Sequence, residues 1–205
     1  MEIHVEGDAD AIQQFVQDIT DRYPSSAKIT NLEIKDAPLQ EAADFEILAS
    51  TLHNRPTVQI PADLAVCPKC LSELFDPANR RFLYPYINCT DCGPRYTVIE
   101  RLPYDRPYTT MHMWSMCPAC SAEYYDPADR RFHAQPTACP DCGPHYHVQG
   151  QDGEIHGDEK AIKKTAELLR SGRIVAIKGL GGYLLACDAE NEEAVWELRR
   201  RKRRG

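Results

Sequence analysis

The sequence predicts an α+β chain built from several modules rather than from one domain around one core. Three observations predict it. Eight of the nine cysteines stand as four Cys-x-x-Cys pairs in the middle of 205 residues. A short strand–helix–strand–strand pattern precedes them, and a helix–strand–glycine turn–strand–helix pattern follows them.

The middle is a duplication. Its pairs are Cys67/Cys70, Cys89/Cys92, Cys117/Cys120 and Cys139/Cys142. Eighteen residues separate the first pair from the second, eighteen the third from the fourth, and the block returns after 50 residues. Between 67–96 and 117–146, 16 of 30 positions are identical, so one unit is used twice. The identities run past the cysteines to Glu73/Glu123, Asp76-Pro77/Asp126-Pro127, Arg80-Arg81-Phe82/Arg130-Arg131-Phe132 and Gly93-Pro94/Gly143-Pro144.

Two such knuckles supply four sulfurs, which zinc accepts tetrahedrally, and a second pair ~15–20 residues after the first is zinc-site spacing. A duplicated unit should carry its own metal. Cys67, Cys70, Cys89 and Cys92 are therefore expected to hold one Zn2+, and Cys117, Cys120, Cys139 and Cys142 a second, rather than an interleaved arrangement. Disulfides need an oxidising compartment, and no signal peptide opens the sequence. An iron–sulfur cluster also takes four thiolates, but regular paired knuckles followed by Gly-Pro favour zinc. Four thiolates leave no open position for water, so both ions are expected to be structural.

The formal charge is −7, and two loaded four-cysteine sites take it to −11 because each adds −2. That balance weighs against general nucleic-acid binding, which needs a cationic surface. No apolar run approaches the ~20 residues of a membrane span, so a cytoplasmic protein is expected.

In chain order, residues 1–52 read as a small α/β piece. Glu2–Glu6, 27–35 and Phe45–Leu48 read as strands. Asp8 or Asp10 caps a helix with Ile12, Phe15, Val16 and Ile19 on its apolar face, broken by Pro24 and Ser25-Ser26. This is too little to close a core, and a preceding segment is expected. Residues 51–66, with Pro56 and Pro61, read as a linker. The metal region divides into modules at 60–100 and 101–148, held by metal and short strands and poor in helical periodicity. Its Arg80-Arg81 and Arg130-Arg131 pairs are expected to meet nearby aspartates, with Asp76 and Asp126 as candidates. His133 is expected to pack or line an interface rather than bind metal. His145 and His147 are expected at the surface of a strand. Trp114 and the local tyrosines are expected in the core.

From 155 to 205 the texture is that of an opening α/β domain. Asp158–Ser171 reads as a helix with Ile162, Ala166 and Leu169 inward, closed by Gly172. Ile174–Ile177 reads as a buried strand, Lys178-Gly179-Leu180-Gly181-Gly182 as a turn, and Tyr183–Cys187 as a second strand, with Cys187 a packed thiol. Asn191 caps a helix running through Arg204. The glycine turn lacks Gly-Lys-Ser/Thr and is no Walker loop. A basic run such as Arg199–Arg204 is usually a solvated helix end.

The cysteine segments resemble one family: HypF, the carbamoyltransferase of nickel–iron hydrogenase maturation. The resemblance is carried by Asn88-Cys89-Thr90-Asp91-Cys92-Gly93-Pro94-Arg95-Tyr96-Thr97, Tyr104-Asp105-Arg106, Thr109-Thr110-Met111 and Asp129-Arg130-Arg131-Phe132-His133-Ala134-Gln135-Pro136, with 24 residues between Cys92 and Cys117. It implies that 1–52 resembles the second half of a ferredoxin-like acylphosphatase-like domain, whose catalytic arginine and asparagine motifs do not occur here, so no catalytic residue is expected. It implies that 155–205 resembles the start of a YrdC-like domain, with Lys178, Gly179, Lys202 and Arg204 contacting nucleotide or carbamoyl-adenylate. The implied chemistry is a relay. Carbamoyl phosphate is hydrolysed to carbamate, which is joined to AMP using ATP and Mg2+. The carbamoyl group then passes to the C-terminal cysteine of a HypE-type partner, as a precursor of cyanide. Here the zinc modules would be scaffold, and the segment alone would be inactive. The alternative is a stand-alone zinc-ribbon module that binds RNA or protein. It explains the cysteines and the basic tail, but not a partial domain at each end.

Overall fold

The computed structural model describes residues 2–23, 27, 29–48, 60–151, 153–179 and 181–203. They fall into two compact units, Met1–Pro56 and Thr57–Gly205.

The first unit contains helix α1 (Ala9–Asp21). Asp8 is its N-cap, the carboxylate accepting from the Ala11 N–H at 2.9 Å. Ile12, Val16 and Ile19 are half-buried, while Phe15 is exposed. The strands expected at Glu2–Glu6, 27–35 and Phe45–Leu48 are not formed among the described residues. A strand exists only through its ladder partner, and the described residues of these stretches take no strand conformation. Their apolar side chains Ile3, Ile29, Leu32, Ile34, Phe45 and Ile47 remain 42–65% exposed. Pro24, Ser25-Ser26 and the linker residues through 59 lie outside the described residues.

In the second unit each cysteine module opens with a two-turn helix: α2 (Pro68–Phe75) and α3 (Pro118–Tyr125). The sequence hid them, because eight residues are too few to show a period. Their signal was Cys-Pro. The cysteine sulfur acts as N-cap, accepting from the N–H of Cys70 at 3.4 Å and of Cys120 at 3.5 Å. Pro68 and Pro118 sit in the first turn, where a missing N–H costs nothing. The expected short strands are replaced by isolated bridges, Leu64–Gly93, Cys89–Cys92 and Ile99–Thr109, and by 3-10 turns at Tyr96–Val98, Arg106–Tyr108 and Thr110–Met113.

A hairpin of β1 (His147–Gly150) and β2 (Gly153–His156) leads into α4 (Asp158–Arg170). His145 precedes β1, and His147 stacks on His156 across it at 5.7 Å. The Asp158 carboxylate accepts from the Tyr146 N–H at 2.6 Å and pairs with His145 Nδ1 at 2.8 Å, tying the last knuckle to α4. In α4 the buried residue is Ala161; Ala166 and Leu169 are half-buried, and Ile162 faces out. Gly172, at φ +76°, closes it as expected. A second hairpin pairs β3 (Val175–Lys178) with β4 (Tyr183–Ala186). It is not a buried strand pair: Val175 and Ile177 are half-buried, and Tyr183 and Leu184 are exposed. Cys187 is half-buried. Asn191 caps α5 (Glu192–Arg201), accepting from the Ala194 N–H at 3.0 Å. No described helix is long and apolar enough to cross a membrane.

Candidate metal centres

Each module brings its own four cysteines together. The sulfurs of Cys67, Cys70, Cys89 and Cys92 lie within 4.8 Å of one another, and so do those of Cys117, Cys120, Cys139 and Cys142. Pairing is therefore local. Neighbouring sulfurs stand 3.6–3.8 Å apart: 3.7 Å for Cys67–Cys89, 3.8 Å for Cys89–Cys92 and 3.6 Å for Cys120–Cys142. A zinc ion with four Zn–S bonds of ~2.3 Å spaces its ligands by about 3.8 Å, the edge of that tetrahedron. The shells fit one such ion each. Disulfides are excluded, since they hold sulfur at ~2.05 Å. An iron–sulfur cluster would set several irons and sulfides between its cysteines and spread them wider than one ion's shell.

The arginine pairs are the feature that the sequence misplaced. They do not meet Asp76 and Asp126, whose carboxylates instead accept from the N–H groups of Ala78 and Ala128 at 2.9 Å within their own turns. Each pair crosses to the other module. Arg80 and Arg81 clamp Glu123: Arg80 Nη2 donates to Oε2 at 2.6 Å and Arg81 Nη1 to Oε1 at 3.0 Å. Arg130 and Arg131 clamp Glu73, Arg130 at 2.6 Å. The bonds repeat with the sequence. Arg81 Nε donates to the Ala138 carbonyl at 2.9 Å, and Arg131 Nε to the Asn88 carbonyl at 3.0 Å. Arg80 Nη2 lies 3.2 Å from Cys120 Sγ; Arg130 Nη2 lies 3.0 Å from Cys70 Sγ and 3.3 Å from Cys67 Sγ. So the positive charge beside each set of thiolates comes from the opposite module. The repeat marks these residues, since a glutamate and two adjacent arginines stand in both copies, but it does not say which copy each would meet.

The electrostatics follow. Burial pushes the Glu123 carboxyl up, but the guanidiniums of Arg81 and Arg80 outweigh it and hold it at about 2. Glu73 is likewise lowered: burial opposes, and Arg131 and Arg130 prevail.

Two further buried arginines were not singled out from sequence. Arg106 donates to the carbonyls of Gln135 at 2.7 Å, Thr137 at 2.8 Å and Trp114 at 2.8 Å. Arg95 donates to those of Cys89 at 2.9 Å and Thr90 at 2.8 Å. Both pin knuckle segments by saturating their carbonyls. Tyr84 is buried and Trp114 half-buried, as expected, whereas Tyr96 and Tyr125 are exposed. His133, in the left-handed region at φ +51°, stacks on Tyr124 at 4.8 Å, which is packing rather than ligation. Gly143 sits where a Cβ would stand 2.0 Å from Tyr84 Oη and 2.6 Å from Ala138 Cβ. Gly143→Ala should therefore cost ~1–3 kcal/mol by overpacking, read as a lowered midpoint in denaturant unfolding of the zinc-loaded chain.

Of the expected nucleotide contacts, Lys178 ends β3, its Nζ 3.2 Å from the Gly179 carbonyl and 5.7 Å above the Tyr183 ring. Lys178 and Gly179 border a cavity of about 440 Å3 with Asp63, Tyr86, Trp114 and Tyr146. Lys202 is the C-cap of α5. Arg204 lies outside the described residues.

Two saturated four-sulfur shells joined by exchanged arginines define a tandem zinc-finger protein with the opening of an α/β lobe behind it. The model of the HypF finger matches residues 66–99 and 116–149, and a Sua5/YciO/YrdC model, described as telomere recombination, matches 167–205. Over essentially its whole length the chain is homologous to HypF carbamoyltransferases. Carbamoyltransferase HypF of Synechocystis sp. is 51% identical over 98% of this chain, and HypF2 of Cupriavidus necator 49% identical over 100%. The probable carbamoyltransferase HypF of Methanocaldococcus jannaschii is 46% identical over 98%. The chain spans 26% of the length of each of these relatives. Among solved structures, full-length HypF in the phosphate- and nucleotide-bound form matches with a TM-score of 0.87 at 45% identity, over 97% of this chain and 26% of that one. HypF of T. kodakarensis matches with a TM-score of 0.83 at 50% identity, over 98% of this chain and 25% of that one.

Proposed function

We propose that this chain is the zinc-binding scaffold segment of a hydrogenase-maturation carbamoyltransferase that uses carbamoyl phosphate and ATP to carbamoylate a HypE-type partner. The observation that carries the reading is the pair of four-cysteine shells inside a segment about half identical to HypF relatives. Four thiolates fill each zinc, so the metal supplies folding energy rather than a reactive water. Residues 1–52 belong, on this reading, to the acylphosphatase-like domain and 155–205 to the YrdC-like domain. Lys178 and Gly179, beside the cavity they border, contribute the nucleotide side together with Lys202 and Arg204. Carbamate decomposes readily in water, which favours holding successive sites in fixed register. The protein works in the cytoplasm.

The chain alone should show no hydrolysis of carbamoyl phosphate and no ATP-dependent adenylate formation, measured as phosphate and pyrophosphate release; turnover in either assay would contradict the scaffold assignment. Zinc removal from a full-length relative that left both its fold and its activity intact would refute the scaffold role. A gel shift with RNA across a salt series separates the alternative: a stand-alone RNA-binding module predicts binding with a steep salt slope, and none is expected.

A further inference from the structure

We infer that the two metal sites load as a coupled pair, with Arg80 and Arg130 as the positioning residues that carry the coupling across the duplication. The inference starts from which module supplies which charge. A zinc ion with four thiolates is a centre of charge −2. The guanidinium beside the first set of sulfurs, Arg130, belongs to the second module, at 3.0 Å and 3.3 Å from Cys70 and Cys67. Beside the second set stands Arg80 of the first module, 3.2 Å from Cys120, with Arg81 of the same module 3.5 Å from that sulfur.

Each arginine is also tied to the helix that presents those sulfurs. Glu73 follows Cys70 by three residues on α2, and Glu123 follows Cys120 by three on α3, so one clamp grips a cysteine and a carboxylate on the same face. Loading the first ion fixes Arg130 and Arg131 and with them the turn from 126 to 134. That turn is bonded back to α3 through the His133 N–H on the Tyr124 carbonyl at 2.9 Å. Helix α3 carries Cys117 and Cys120 at its start. The reverse path is the same. Arg80 and Arg81 hold the turn from 76 to 84, which is bonded to α2 through the Leu83 N–H on the Leu74 carbonyl at 2.8 Å. Each ion therefore orders the knuckle that receives the other, and such coupling is reciprocal by linkage.

The test is native mass spectrometry of the whole chain, stripped of metal and titrated with zinc, then run in reverse by withdrawing zinc with a chelator. Two equal, independent sites leave half of the molecules with one ion at half-loading, and unequal independent sites leave more. Coupling of roughly 100-fold, inside the range usual for linked sites, leaves about a tenth. The one-ion species is expected near that tenth. The Arg80→Gln/Arg130→Gln variant should return it to half or more, and Arg80→Lys/Arg130→Lys should recover part of the deficit. A native chain with half or more of its molecules holding one ion at half-loading overturns the coupling. A glutamine variant that keeps the native deficit overturns the assignment to these arginines. Should the glutamine variant fail to fold, the native distribution still decides the coupling, and the lysine variant decides the arginines by whether its one-ion fraction rises above the native value.

Discussion

Removing both zinc ions with a chelator should unfold residues 60–148, with α2 and α3 losing amide protection together. The expected loss is large because ion affinity is folding free energy in modules of this kind, ~10–16 kcal/mol per structural site in model peptides. Nothing else here is of that size. Around the first shell, the buried apolar cluster is Cys70, Ile87, Cys89 and Cys92, mostly the ligands themselves. Around the second module, Tyr84, Met111 and Ala138 form a similarly small cluster. Hydrogen exchange read by mass spectrometry before and after chelation checks it. Unchanged protection in α2 and α3 would mean that packing, not metal, holds the region.

The second large effect is expected at Glu123. Arg81 is buried to 2% side-chain exposure, and Glu123 is its anionic partner on the other module. Glu123→Ala leaves a buried guanidinium without its carboxylate, which costs ~3–5 kcal/mol in comparable sites. Glu73→Ala should cost a similar amount through Arg131, 5% exposed. Denaturant unfolding of the zinc-loaded variants measures both. A loss under ~1 kcal/mol would show the clamps to be worth no more than surface ion pairs. Acid gives the same interaction with its sign fixed. The folded Glu123 carboxyl is held at about 2, below its unfolded value of ~4.3. Its contribution is complete above ~4.3 and is lost as the pH falls toward about 2. Glu123→Gln should flatten that part of the acid limb.

What could be read from the chain, and what could not, divides along a physical line. Spacing reported much that is local: the Asn191 cap of α5, the Gly172 close of α4 and a cap for α1 at Asp8 or Asp10 are all decided by residues within a few positions of one another. The metal shells were legible over a longer span, because a repeated unit carries its own ligands. The arginine clamps were illegible for the opposite reason. Arg81 and Glu123 are 42 residues apart and in different copies, and the repeat says what each copy contains but not how the copies face each other. Proximity favoured Asp76 and Asp126, but those carboxylates are already engaged in capping their own turns. The strands expected before residue 49 failed similarly. Ile29, Leu32 and Ile34 are the apolar points of one expected strand, but a ladder needs a second strand that no local pattern can supply.

The exchange of Arg-Arg and Glu between copies has the form of a self-complementary dimer interface, in which residue i touches j′ and i′ touches j. Here both partners sit on one polypeptide. The duplicated unit is thus a dimer made covalent, and its connecting stretch fixes the stoichiometry while Arg106 within it adds contacts to the second knuckle. Severing that stretch would leave every arginine opposite its glutamate, whereas one finger expressed by itself would expose two guanidiniums and a carboxylate shaped for a mate it no longer has.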